Sequence, residues 1–435
     1  MRQTLMDTDT SPILQVRDLR LGFNMRQGML DVLHGISFDL HRGKTTCIVG
    51  ESGSGKSVTA RAILNMVPRP GTINGGQILF NPDGSGQIDL TSLDPRGKPI
   101  RKIRGGRIGM IFQEPMSSLS PIHTIGNQIT EVLQLHRNVD KKTARQMAIA
   151  ALAQVEIPKP EKAVDRYAFE YSGGMRQRAM IAMALSCQPD VLIADEPTTA
   201  LDVTTQAEIL DLMKSLQLEL DTAIMFITHD MGVVAEIADE VVVMEQGRVV
   251  EKGDTHQVYN APRHSYTKKL LTAVKRLTQP ATAKVSFSKR AKDILQIRDL
   301  SLRFEKKEGF LQKVTDVTKA VDGVTFNLKK GESLGIVGES GSGKTTLGRC
   351  IARVYNPNSG VINYKGQDLM QANASELRET RKRMRMIFQD PFASLNPRMT
   401  VKQIIAEPLI INKLVNLTEL EEYVSTILSQ VGLDP

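Results

Sequence analysis

At 435 residues, 41% hydrophobic and 24% charged, the chain is too long for one ordinary core, and two domains are the simpler expectation. No apolar run approaches the roughly 20 residues needed to cross a bilayer, and the N-terminal MRQTLMDTDTSP lacks the apolar centre of a secretory signal. The net charge of +8 is partly clustered, with six Lys/Arg from Arg96 to Arg107 and five from Arg378 to Arg385, and each cluster reads as a solvated face rather than a nucleic-acid or lipid site. Cys47, Cys187 and Cys350 form no CxxC pair, which argues against a disulfide framework or a zinc site and for free thiols in a reducing cytosol.

The architecture follows from a repeat. IVGESGSGK occurs at Ile48 to Lys56 and again at Ile336 to Lys344, and such identity marks a tandem duplication. HGISFDLHRGK before the first copy parallels DGVTFNLKKGE before the second, and GMIFQEPMSSLSP parallels RMIFQDPFASLNP downstream. The two loops are 288 residues apart and the two IFQ segments 276 apart. The first half therefore carries extra residues, and the polar, Gly-rich NPDGSGQIDLTSLDPRGK is the expected surface insertion.

In chain order, CIVG reads as a strand feeding Gly50, Glu51, Ser52, Gly53, Ser54, Gly55, Lys56 and Ser57, with Val58 opening a helix. This is GxxxxGK[ST] in the strand-to-helix context that gives the pattern its mechanism. Glycines let backbone amides curl around phosphate oxygens, and the helix N-terminus adds partial positive charge. Lys56 is expected to reach the β and γ phosphates and Ser57 to ligate Mg²⁺. The apolar VLIAD strand ends in Asp195 and Glu196, at the strand end where parallel sheets bind ligands. Asp195 is the expected Mg²⁺ partner and Glu196 the general base for water. His229 closes the AIMFITHD strand, where it could contact the γ-phosphate or position the water. Strands alternating with helical patterns indicate α/β folding around buried parallel strands. TQPATAKVSFSKRAKD, Thr278 to Asp293, lacks apolar periodicity and reads as a surface linker. The second half repeats the phosphate loop as Gly338, Glu339, Ser340, Gly341, Ser342, Gly343, Lys344, Thr345 and Thr346, with Thr345 in the metal-binding position.

One further motif narrows the reading. Tyr171-Ser172-Gly173-Gly174-Met175, followed by Arg176 and Gln177 and lying 23 residues before Asp195, resembles the LSGGQ signature of the ATP-binding cassette family. Gln113 and Gln389 are similar to its Q-loop glutamine, a nucleotide and metal contact. Ala200-Leu201-Asp202 resembles its D-loop, and His229 its switch histidine. The resemblance implies α/β nucleotide-binding domains of the P-loop NTPase type in tandem, each a RecA-like core with an antiparallel β subdomain and a helical subdomain. The first would span 12–262, an extension and linker 261–293, and the front of a second 294–435. It also implies ATP and Mg²⁺ as ligands. Phe23, Phe304 and Phe310 are candidates to stack on adenine, core packing being the alternative for each.

FQEPMSSLSPIHTIGNQI, FQDPFASLNPRMTVKQII and Ala261-Pro-Arg-His-Ser-Tyr-Thr-Lys-Lys-Leu270 resemble the extended Q-loops and C-terminal extension of the peptide importer branch, which includes dipeptide, oligopeptide, nickel, glutathione and opine systems. That implies a peripheral subunit on the cytoplasmic face of the bacterial inner membrane, working with two transmembrane permease subunits and an external solute-binding protein. Some relatives hold an iron–sulfur cluster in the extension; Gln188 to Arg349 contains no cysteine, so no cluster is expected. In the family two cassettes face head to tail, and Ser172, Gly173, Gly174, Met175 and Gln177 would serve a nucleotide held by the opposing one. Carrying the first-half spacing forward, the second signature, carboxylates and histidine fall beyond Pro435, so the chain is expected to bind ATP with weak or no turnover alone. A soluble cassette protein of the translation or DNA-repair type and a nonhydrolytic remnant are the competing classes. The linker lacks the charged helical arm of the translation type and no long coiled coil interrupts the cassette, so no nucleic-acid partner is expected.

Overall fold

Side-chain alternation along buried strands builds the molecule's first unit as two packed sheets. The structure, a computed structural model, describes residues 11–26, 28–84, 86–114, 118–199, 201–278, 292–308, 313–339, 341–389, 394–416 and 418–434. Ala200, Phe310, Ser340, most of the expected linker and the centres of both extended Q-loops lie outside the described residues. The chain divides into two units, Met1–Lys284 and Val285–Pro435.

In the first unit, β1 (Leu14–Met25), β2 (Gly28–Leu40), β4 (Gly71–Phe80) and β5 (Ile88–Asp89) form an antiparallel sheet of order β2-β1-β4-β5. β3 (Thr45–Val49) belongs to a second sheet with β6 (Ile108–Ile111), β7 (Val191–Asp195), β8 (Ala223–Thr228), β9 (Glu240–Glu245) and β10 (Arg248–Asp254), ordered β10-β9-β3-β8-β7-β6. Its strands run parallel except β10, which returns antiparallel to β9. Every residue of β3, β7 and β8 is buried, as expected of parallel strands covered on both faces. Successive side chains point to opposite faces: Cys47, Val49, Leu192, Ala194 and Phe226 enter one core, while Ile48, Val191, Ile193, Met225 and Ile227 enter the other with the antiparallel sheet.

The first unit's helices are α1 (Lys56–Ile63), α2 (Lys98–Ile103), α3 (Ile125–Arg137), α4 (Lys141–Gln154), α5 (Pro160–Ala163), α6 (Gly173–Leu185), α7 (Val203–Leu220), α8 (Met231–Ile237), α9 (Thr255–Asn260) and α10 (Ser265–Thr278). Side-chain caps start several of them, each oxygen taking an amide the first turn leaves unpaired: Thr124 for α3, Asp140 for α4, Ser172 for α6 and Asp202 for α7.

The second unit contains an antiparallel sheet ordered β12-β11-β13-β14, from β11 (Asp293–Glu308), β12 (Lys313–Lys329), β13 (Ser359–Tyr364) and β14 (Gln367–Asp368). Its helices are α11 (Lys344–Ile351), α12 (Ala374–Arg383), α13 (Val401–Ile411) and α14 (Leu420–Gln430). Leu295, Ile297, Leu300, Ile362 and Leu369 are buried in its core.

The two sheets correct one expectation about the extra residues of the first half. Phe80 and Tyr364 sit at the same ladder position, opposite Leu14 and Leu295. Asp89 and Asp368 likewise match, opposite Leu79 and Asn363. Part of NPDGSGQIDLTSLDPRGK is thus β5, shared by both halves, and Leu90 in it is fully buried. The excess is spread before Phe80, between Phe80 and Asp89, and after Asp89, rather than gathered in one surface loop.

Candidate functional site

The phosphate loop leaves the C-terminal end of β3 and enters α1. Gly50 and Gly55 have φ of 155° and 98°, in the region glycine tolerates and other residues seldom enter. A side chain at Gly50 would strike the Met244 carbonyl oxygen, and one at Gly55 would lie 2.6 Å from Leu33 Cδ2. The loop is therefore fixed by its neighbours as well as by its own torsions. Lys56 is buried, and its Nζ donates to the carbonyls of Gly50 at 2.8 Å and Glu51 at 2.9 Å. Burial pushes the Lys56 ammonium below its usual range, opposed by the charges of Glu196 and Asp195.

β7 and β8 bring the remaining groups to the same edge. Ser57 Oγ donates to Asp195 Oδ1 at 3.0 Å. Burial raises the Asp195 carboxyl, against the pull of that hydrogen bond. Glu196 adopts φ 48°, a left-handed conformation that costs a non-glycine residue energy and is often stored at functional sites. Its amide donates to the Ile227 carbonyl at 3.0 Å. Its carboxylate accepts from Gln113 Nε2 at 3.1 Å and Thr199 Oγ1 at 2.9 Å, and lies 3.3 Å from His229 Nδ1. Three residues expected to act together, Glu196, Gln113 and His229, are therefore joined through one carboxylate. Thr199 is a fourth member that no local pattern announced.

A cavity of about 320 Å³ opens over this edge, lined by Ser52, Gly53, Gly55, Lys56, Ser57, Val58, Gln113 and Glu196 on one side and by Phe23, Leu30 and Val32 on the other. Phe23 is half-buried in its wall, so its placement fits both stacking and packing. Phe304 is exposed and meets Tyr355 edge-on at 5.6 Å between ring centroids.

The signature residues stand on a different element and do not line that cavity. Ser172 caps α6, its Oγ accepting from Met175 N at 3.3 Å, while Gly173 is exposed and Gly174 and Met175 are half-buried. Gln177, one turn into α6, is buried, unlike the exposed Ser172 and Gly173 before it. Asp202 caps α7 by accepting from Thr205 N at 3.0 Å and Thr205 Oγ1 at 2.9 Å.

In the second unit the phosphate loop keeps its internal form. Gly338, Gly341 and Gly343 have φ of 155°, 81° and 89°, against 155°, 83° and 98° for Gly50, Gly53 and Gly55. Lys344 Nζ donates to the carbonyls of Gly338 and Glu339, both at 2.6 Å. Thr345 and Thr346 begin α11, and Gln389 is exposed. The three cysteines are buried and separate.

The family model for ABC transporters matches residues 33–199 and 321–435. The chain is 43% identical, over 97% of its length and 71% of the relative's, to the glutathione import ATP-binding protein GsiA of Pectobacterium atrosepticum. It is 44% identical, over 99% of its length and 77% of the relative's, to the peptidoglycan transport ATP-binding protein YejF of Agrobacterium fabrum. Among solved structures, the dimeric structure of a bacterial ABC transporter cassette is similar at 25% identity and a TM-score of 0.49, covering 56% of this chain and 98% of that one. The chain belongs to the ABC transporter ATPases, proteins that bind ATP through cassettes of this α/β fold.

Proposed function

We propose that the chain energises an importer of peptides or related small solutes, of the dipeptide, oligopeptide, glutathione, nickel or opine kind, by binding and hydrolysing ATP. Carrying this reading is the single carboxylate network in which Glu196 joins Gln113, Thr199 and His229 beside the Lys56 loop. The names of the two relatives, one for glutathione import and one for peptidoglycan transport, support the importer branch. No helix among the described residues is long and apolar enough to cross a membrane. In this reading the chain would act peripherally, on the cytoplasmic face of the inner membrane. It would work beneath two permease subunits and with an external solute-binding protein.

The donor set fits Mg²⁺. A buried carboxylate of raised pKa, accepting from a hydroxyl and lying in the field of Arg61 and Lys56, offers hard oxygen ligands. Ser57 and Asp195 would hold the ion, with Gln113 beside them and Thr345 in the second loop's equivalent place; the ion would neutralise charge on the phosphates. Loop amides and Lys56 would bind the phosphate oxygens. Glu196 would accept a proton from the attacking water, whose oxygen bonds to the γ-phosphorus as the bond to ADP breaks. Gln113 and His229 would orient that water, and Ser172 with its glycines would face a nucleotide on an opposing cassette. Glu196→Gln should leave ATP affinity within about twofold while lowering phosphate release about 10²- to 10⁴-fold, measured with the chain assembled with its permeases. Unchanged release would remove Glu196 from the reaction.

A further inference from the structure

The helix after the cassette reaches back to the phosphate loop. Glu251, buried on β10, accepts the amides of Arg263 at 2.8 Å and His264 at 2.9 Å, which fixes where α10 begins. One residue into that helix, Tyr266 is buried in the helical core, and its hydroxyl accepts the Glu51 amide at 2.8 Å. One turn on, Lys269 lies 3.8 Å from the Glu51 carboxylate, both side chains exposed.

The Tyr266 contact falls on a particular peptide unit. The carbonyl of Gly50 and the amide of Glu51 belong to the same peptide plane. Lys56 holds the carbonyl end and Tyr266 the amide end. If Lys56 leaves its carbonyls for phosphate oxygens when ATP binds, Tyr266 is the side chain that goes on fixing the plane. An exposed ion pair such as Lys269–Glu51 contributes little by comparison.

We propose that Tyr266 is a positioning residue for nucleotide binding: its hydroxyl ties the first phosphate loop to the C-terminal extension and keeps the loop in its anion-binding form when Lys56 changes partners. This rests on the reading of that loop as an ATP site. The extension would then be a coupling element, since anything that displaces α10 would loosen the loop at Glu51.

The test uses the full chain carrying Lys344→Ala to silence the second loop, titrated with Mg²⁺ and ATP by calorimetry. Tyr266→Phe keeps the ring and removes only the hydroxyl. The expected result is affinity about three- to tenfold weaker, the effect of one neutral hydrogen bond, with the nucleotide-free melting temperature unchanged. Lys269→Ala should shift affinity less than about twofold. Affinity within twofold of the parent in Tyr266→Phe would overturn the proposal, because a purely packing role is preserved by phenylalanine. Should the variant also melt earlier, hydrogen exchange decides: faster exchange confined to the segment containing 48–57 supports the role, and uniformly faster exchange overturns it. Undiminished binding after Lys56→Ala would instead overturn the underlying reading of the loop.

Discussion

The same nine residues, IVGESGSGK, sit in two different surroundings. In the first unit Ile48 and Val49 are fully buried, as is Ile111 before the Q-loop. Their counterparts Ile336, Val337 and Ile387 are 46%, 91% and 96% exposed, and 332–339 and 384–388 are not strands. The reason is pairing. β3 lies between β8 and β9, and β6 beside β7, so each strand depends on segments far along the chain; among the described residues of the second unit, 332–339 and 384–388 have no such parallel partner. Antiparallel strands close locally through hairpins, whereas parallel strands need distant partners. Both antiparallel sheets form accordingly, and so do both phosphate loops, whose torsions and lysine contacts are internal. In the reading proposed above, the glycine loops are thus largely local in form, whereas Asp195, Glu196 and His229 reach the first loop only through β7 and β8, from far along the chain.

The largest expected effect sharpens this contrast in stability. Ile48→Ala should cost the first unit about 2–5 kcal/mol, as truncation of a fully buried aliphatic does. Ile336→Ala should cost the second unit no more than about 0.5 kcal/mol. Urea unfolding followed by circular dichroism would read both, and equal costs would break the comparison. Next comes affinity. Lys56→Ala should weaken ATP at the first loop by about 30- to 100-fold, the loss of a charge-assisted hydrogen bond, while Lys344→Ala leaves that tighter class of site intact in calorimetric titration. Removal of the tighter class by Lys344→Ala would mean that the surrounding sheet adds nothing to binding.

The smallest effect concerns pH. Burial alone would raise the Glu251 carboxyl, yet the hydrogen bonds it accepts, including the amides of Arg263 and His264, hold it below the ordinary range. A depressed pKa contributes stability that is present above the unfolded value near 4.3 and lost as pH falls through the folded value. Glu251→Gln should therefore destabilise the first unit by about 1–2 kcal/mol near neutral pH. That difference should shrink as pH drops below about 4, with the second unit's transition unmoved throughout.

Much of this was legible in the sequence where the determinant is local. The glycine loop, the VLIAD strand ending in two carboxylates and the serine before two glycines each announce a torsion, a burial or a cap by residue type alone. The repeat gave the two-fold organisation directly. What stayed hidden depends on contacts between distant segments. Thr199 reaches Glu196 only because the turn after β7 folds back, and Tyr266 meets Glu51 only because Glu251 fixes the start of α10. Gln177 follows the signature in sequence, yet helical periodicity turns it inward. The extra residues of the first half looked like one insertion because β5, two residues long, carries too little pattern to be seen.

Glu196 holds its backbone at φ 48°, and that torsion bears on which residues the position accepts. Glycine or asparagine would sit there with less backbone strain, at the loss of the carboxylate that meets Gln113, Thr199 and His229. If Glu196 is the base proposed above, its backbone angle is a cost borne for turnover rather than for folding, and the site carries strain even before a nucleotide arrives.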